Sequence, residues 1–170
     1  MPEDGSKPVN VAVLADAGRK VELAIPVERL ERITDSLARR DGLVNGTVEL
    51  SREAGRIIAD VTLAARLSLR CQRCLGVMLV PIDSSSRVVL IESGAAASDV
   101  PPELETAMAP EGWMRLADLV EEELLLALPV APRHEGQCPG VQREEAPEII
   151  SDTTRPFAGL GDLLSGRTKQ

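Results

Sequence analysis

The sequence predicts an α+β domain, an antiparallel β meander or partly open barrel with two packed helices, followed by a disordered acidic C-terminal tail. Three observations point there: strict two-residue alternation from Ile57 to Leu69, helical periodicity after Pro26 and again after Leu116, and loss of any period beyond Val141. With 170 residues, 44% of them apolar, the chain can bury one core and is short for two. The expected organisation is a single domain over 8–140 with a mobile insertion at 93–112, then a flexible tail over 141–170 that carries a short Arg155-Pro156-Phe157 motif.

Asn10 to Ala15 and Val21 to Ile25 read as short strands. Pro26 then opens a predicted helix with Val27, Leu30, Ile33 and Leu37 on one face, ended near Arg39, Arg40 and Gly42. Val44, Gly46, Val48 and Leu50 alternate with Asn45, Thr47 and Glu49, a half-buried strand that stops near Ser51 to Gly55. In the next segment Ile57, Ala59, Val61, Leu63, Ala65, Leu67 and Leu69 share one side, and Arg56, Asp60, Thr62, Arg66, Ser68 and Arg70 share the other. One further step of that period puts Cys71 in phase with the apolar side, where the chain turns through Gln72 to Gly76. Val77 to Ile82 and Arg87 to Ile91 return antiparallel to it. Glu92 to Gly112 is rich in Ala, Pro, Ser and acidic residues without a period and receives no element. Leu116 to Leu128 is the second helix, stopped by Pro129. Its stripe of Leu116, Leu119, Val120 and Leu124 is core; Leu125, Leu126 and Leu128 widen it, as further core or as a partner groove. Glu121, Glu122 and Glu123 point in successive directions and read as mostly solvated.

The formal charge is −8, yet residues 1–92 hold 13 Lys or Arg against 13 Asp or Glu, and residues 93–170 hold 6 against 14. The acidic excess is therefore C-terminal, and a neutral front half is free to carry a basic patch. Met1-Pro2-Glu3-Asp4-Gly5 lacks the pattern of a secretory signal, and runs such as Leu124 to Leu128 fall far below the ~20 apolar residues that span a bilayer. Both predict a cytoplasmic protein without a membrane partner. Tyr is absent and Trp113 and Phe157 are the only aromatics, which excludes RNA-binding folds built on base-stacking platforms.

Three cysteines in a reducing compartment are free, metal-bound or redox-active. A redox Cys-x-x-Cys opens a helix, whose dipole activates the first thiol; Cys71-Gln72-Arg73-Cys74 instead ends a strand, as in a zinc knuckle. Zinc needs two more ligands, and the only remaining cysteine and the only histidine, Cys138 and His134, are separated by three residues on the loop after the Leu-rich helix. The candidate centre is Cys71, Cys74, His134 and Cys138 around a structural Zn2+. The competing reading makes Cys71 and Cys74 buried small hydrophobes, Cys138 a stray thiol and His134 a surface residue. Arg66, Arg70 and Arg73 lie on or near the polar strand face, as phosphate contacts or as a solvated face. No Gly-x-Ser-x-Gly elbow, phosphate loop or spare histidine is present, so neither enzymatic activity nor a small-molecule substrate is expected.

Leu69-Arg70-Cys71-Gln72-Arg73-Cys74-Leu75, Glu121-Glu122-Glu123-Leu124-Leu125-Leu126-Ala127-Leu128-Pro129, His134, Cys138 and Arg155-Pro156-Phe157 together resemble the bacterial large ribosomal RNA subunit accumulation proteins, the YceD family, over about residues 20 to 165. The resemblance implies a small cytoplasmic, non-enzymatic factor needed for accumulation of large-subunit (23S) ribosomal RNA. It carries a suspected metal site onto Cys71, Cys74, His134 and Cys138. Gly76 and Val77 depart from the more charged or proline-bearing turn of the family, and the aromatics common in its strands are missing here. The implied partners are precursor ribosomal RNA or a basic large-subunit ribosomal protein, and the acidic C-terminal half favours the protein. Phe157 reads as a docking peptide for a partner or for the chain's own core. A different class, a thiol-based redox or metal-handling protein that uses Cys71 and Cys74 directly, is the alternative.

Overall fold

The alternating segment sets the architecture. It forms β4 (Arg56–Arg70), the central strand of a curled five-stranded sheet ordered β2 (Lys20–Pro26), β3 (Leu43–Glu53), β4, β5 (Val77–Ile91), β6 (Glu105–Met108). All neighbours are antiparallel except β6, which runs parallel to β5. A second, two-stranded sheet pairs β1 (Pro8–Asn10) with β7 (Trp113–Arg115), and two helices, α1 (Val11–Asp16) and α2 (Leu116–Ala127), complete the α+β fold. This computed structural model describes residues 2–92, 100–102, 104–139 and 160. Contacts divide the chain into Met1–Pro139 and Gly140–Gln170, and the expected tail over 141–170, Phe157 included, lies outside the described residues except for Leu160. No helix among the described residues is long and apolar enough to cross a membrane.

The period of two separates the faces as expected. Val61, Leu63, Leu67 and Leu69 are buried on the inner face, and Thr62, Arg66 and Arg70 are exposed on the outer one. Inner-face residues of β3 continue the layer through Val44, Val48 and Leu50. Between them stands Gly46, where an added Cβ would meet Val120 Cγ2 at 3.3 Å. A strand glycine thus lets α2 settle directly on the sheet. Leu116, Leu119, Val120 and Leu124 form the buried stripe of that helix, whereas Leu126 stays 67% exposed. At the end of β4 remote from Cys71 the outer face is covered as well, by Ile58, Val89 and Ile91 packed with Val100 and Leu104.

Four expectations are corrected. The helix expected after Pro26 is replaced by two 3-10 turns, Val27–Arg29 and Thr34–Ser36, with Leu30 extended between them. Val27, Leu30 and Ile33 are all buried, and their spacing of three fits a 3-10 turn as well as an α-helix. The backbone donor of Arg32 is also diverted, to the Glu121 carboxylate at 2.7 Å. Residues 11–15, read as strand, form α1 because Asn10 caps it, accepting from Val13 N at 3.1 Å, and Val11 and Ala15 bury one helical face. Glu121 and Glu123 are buried rather than solvated: Glu121 holds the Arg32 amide, and Glu123 accepts from Ser84 Oγ. Within the insertion expected at 93–112, Glu105–Met108 pairs with β5 as β6, although residues 93–99 and 103 lie outside the described residues. The two return segments after Gly76 are one unbroken strand, β5.

Glu53 pairs with Arg56, so Ala54 and Gly55 alone turn β3 into β4, and both have positive φ, 48° and 81°. Left-handed geometry at both central positions matches the twist of the flanking strands, and Asn-Gly is its preferred sequence. Ala54 is strained there. Ala54→Asn is expected to stabilise the protein by about 1 kcal/mol, raising the thermal midpoint by about 3 °C. A calorimetric midpoint that stays level or falls would contradict this account of the turn.

Candidate metal centre

Cys71 follows directly on β4 and keeps its phase, which turns the thiol to the inner face beside Leu69, fully buried. The chain then reverses in a tight knuckle. Leu75 N donates to Cys71 O and Cys71 N to Gly76 O, both at 2.9 Å, and Arg73 N points at Cys71 Sγ from 3.4 Å. Leu75 adopts φ 61°, a left-handed conformation that costs a branched side chain energy and that the closed knuckle imposes. Gly76 lies beside both pairs: a Cβ there would sit 3.4 Å from Cys74 Sγ and 3.9 Å from His134 Cε1, ordinary van der Waals distances.

The second pair arrives on the loop that leaves α2. Gln72 N donates to Pro132 O at 2.8 Å, which anchors that loop on the knuckle. Arg73 does more. Its Nε donates to Cys138 Sγ at 2.9 Å, and its Nη2 donates to His134 O at 3.2 Å and to Gly136 O. Sequence reasoning grouped Arg73 with Arg66 and Arg70 as a surface contact. The structure brings its side chain to the cysteines, while Arg66 and Arg70 stay exposed on the outer face and Phe157 lies outside the described residues. The one sequence signal for this role was its place inside the Cys-x-x-Cys.

Together these contacts bring the ligand atoms of Cys71, Cys74, His134 and Cys138 within 4.8 Å of one another. Bond lengths of ~2.3 Å to sulfur and ~2.05 Å to nitrogen give a tetrahedral zinc site edges of about 3.8 Å (S···S) and about 3.6 Å (S···N). Cys71 Sγ and Cys138 Sγ are 3.7 Å apart, and Cys74 Sγ and His134 Nδ1 are 3.5 Å apart. The donor set and these two edges fit zinc. Four protein ligands leave no open position, the pattern of a structural rather than a catalytic site.

Electrostatics divide the four ligands. Burial pushes the Cys71 thiol up, but the backbone amides of Arg73, Cys74 and His134 outweigh it and bring the pKa to about 5. Burial also opposes ionisation of Cys138, and the Arg73 guanidinium and His134 overcome it, so this thiol titrates below its usual range. Cys74 moves up: the Gly76 amide favours its thiolate, yet burial and the neighbouring Cys138 and Cys71 prevail. Hydrogen bonds to Cys138 and Cys71 raise His134. Without a cation the thiolate form is thus favoured at Cys71 and Cys138 and disfavoured at Cys74.

Three thiolates around Zn2+ would leave one negative charge, which the Arg73 guanidinium, 2.9 Å from Cys138 Sγ, is placed to balance. Neighbours of this kind typically govern 10–100-fold in metal affinity. In chelator competition Arg73→Gln is therefore expected to retain zinc about 10–100-fold less tightly than the parent protein. Equal retention would remove Arg73 from the centre.

A family model described as large ribosomal RNA subunit accumulation protein YceD matches residues 59–164. The chain is similar to the large ribosomal RNA subunit accumulation protein YceD of Haemophilus influenzae, 26% identical over 167 residues that cover 92% of this chain and 95% of the relative. No solved structure matches. The family match takes in most of β4, all of β5 and α2 and every one of the four clustered ligands, and on its extent the chain belongs to the YceD family of large ribosomal RNA subunit accumulation proteins.

Proposed function

We propose that this protein is a cytoplasmic, non-enzymatic binding factor that supports accumulation of large-subunit ribosomal RNA, and that its Cys71, Cys74, His134 and Cys138 hold a structural zinc ion. The observation that carries the reading is the meeting of the two ligand pairs at tetrahedral edge lengths inside the region matched by the family model. Zinc would fasten the β4–β5 knuckle to the loop after α2 and so stiffen the far end of the sheet. The partner, precursor ribosomal RNA or a basic large-subunit ribosomal protein, is reached through side chains around that end, Arg66 and Arg70 among them. Phe157 is proposed as a further contact from the C-terminal segment.

The thiol-chemistry alternative draws on one observation, the low pKa of Cys71. A depressed thiol pKa serves a metal ligand as well as a nucleophile. Full burial of Cys71 and the absence of a helix starting at it favour the ligand role.

In a strain lacking the gene, the ratio of large- to small-subunit ribosomal RNA is expected to fall, and the wild-type gene to restore it. Cys138→Ser is expected to restore it poorly at a growth temperature where immunoblotting shows normal protein level, because the clamp has lost one ligand. An unchanged ratio in the deletion strain would contradict the assigned role, and full rescue by Cys138→Ser would contradict the role of the clamp.

A further inference from the structure

Arg66 and Arg70 stand on the outer face of β4 about 13 Å apart along the strand. On one side β5 sets Pro81, Leu79 and Val77 opposite Arg66, Ser68 and Arg70. On the other, Ala38 N donates to Ser68 O at 2.7 Å, and regular pairing with β4 resumes only at Val44, opposite Ala65. The intervening chain therefore bulges beside a short stretch of β4. Gly42, at φ +131°, lies against it: a Cβ there would come 3.4 Å from Arg66 O. This bulge carries Arg39 and Arg40 to the same end of the sheet as Arg66 and Arg70.

All four arginines are exposed, and none forms an ion pair among the described residues. The other end of this face is different. There Lys20 pairs with Glu49, and Arg87 with Glu53 and Asp60. Carboxylates at this end are Asp35, which lines a groove together with Arg70, Asp41, within the bulge, and Asp83, opposite Ala64, and none of them forms an ion pair with the four arginines. Leu43, Val77 and Leu79 flank the patch, 45%, 47% and 61% exposed. One face is thus divided into a neutralised end and an end of unmatched cations set among bare apolar side chains.

We propose that the cysteine end of this face, Arg39, Arg40, Arg66 and Arg70 with Leu43, Val77 and Leu79, binds the sugar-phosphate backbone of RNA. The inference rests on the reading of the protein as a large-subunit factor and names the partner of that surface. Guanidinium forks match phosphate oxygens bidentately, and a cationic face repels a basic ribosomal protein. Aliphatic flanks offer contact to riboses but no stacking surface, so recognition follows backbone shape rather than base identity. The acidic excess of the chain begins only after residue 92 in the sequence, whereas all four arginines precede it.

The test is fluorescence anisotropy of the full-length, zinc-loaded protein with transcribed fragments of large-subunit ribosomal RNA over a salt series. Arg66→Gln/Arg70→Gln is expected to lose about tenfold or more in affinity and to flatten the dependence of log K on log salt by about 1–2. Lys20→Gln/Arg87→Gln removes equal charge from the same face and is expected to stay within about twofold of wild type. Matching circular-dichroism melts establish that both variants fold. Wild type that does not bind RNA, or the two variants losing equally, overturns the proposal. If nuclease-treated lysate yields a large-subunit ribosomal protein whose capture Arg66→Gln/Arg70→Gln abolishes, the face is a protein interface: this inference falls while the proposed function stands.

Discussion

Three thiols and an imidazole, each ligand atom within 4.8 Å of the others, cannot all ionise in a buried pocket without a cation among them. The fold meets that constraint in part through Arg73, whose guanidinium lies on Cys138 Sγ, and through the knuckle amides directed at Cys71. What remains is a set of donors two of whose separations, Cys71 to Cys138 and Cys74 to His134, match the edges of a tetrahedral zinc site. Cys71 and Cys138 are 67 residues apart in sequence, so a metal held by the cluster would close a long loop and fasten the end of the longest hairpin to the segment that follows α2. Gln72 N on Pro132 O and the carbonyls held by Arg73 place that segment independently of any metal.

The sheet was legible in the sequence where side-chain period carries the information. Alternation through β4 separated the inner from the outer face and placed Cys71 on the buried side, because a two-residue repeat leaves no other phase. The pairing of Cys71 and Cys74 with His134 and Cys138 was legible from ligand count and spacing. Less legible were features decided by long-range partners. A spacing of three among Val27, Leu30 and Ile33 does not distinguish 3-10 turns from a helix, and the deciding partner, Glu121, lies 89 residues away from Arg32. For the same reason Glu121 and Glu123 looked solvated on their own helix and are buried in the fold. Arg73 resembled its neighbours Arg66 and Arg70 until the 134–138 loop was placed against it.

Position along the sheet now separates duties that composition had merged. One end of the outer face is closed by Ile58, Val89 and Ile91 under Val100 and Leu104, with its cations matched to carboxylates. The other end is bare and arginine-bearing, and β4 leads from it directly into Cys71. A strand fixed at that end would hold its side chains at a set separation, with less entropy lost on binding. A chain of net charge −8 can in this way present a local basic face, because the excess of carboxylates lies in the later part of its sequence.

Refolding in the presence of Co2+, with the visible spectrum recorded for the wild-type protein and for Cys138→Ser, decides whether the two ligand pairs form one metal site. One equivalent of cobalt is expected to give intense tetrahedral d–d bands and a thiolate charge-transfer band, both weakened and shifted in Cys138→Ser. A featureless spectrum in the wild-type protein, or identical spectra for the two proteins, would contradict a single site.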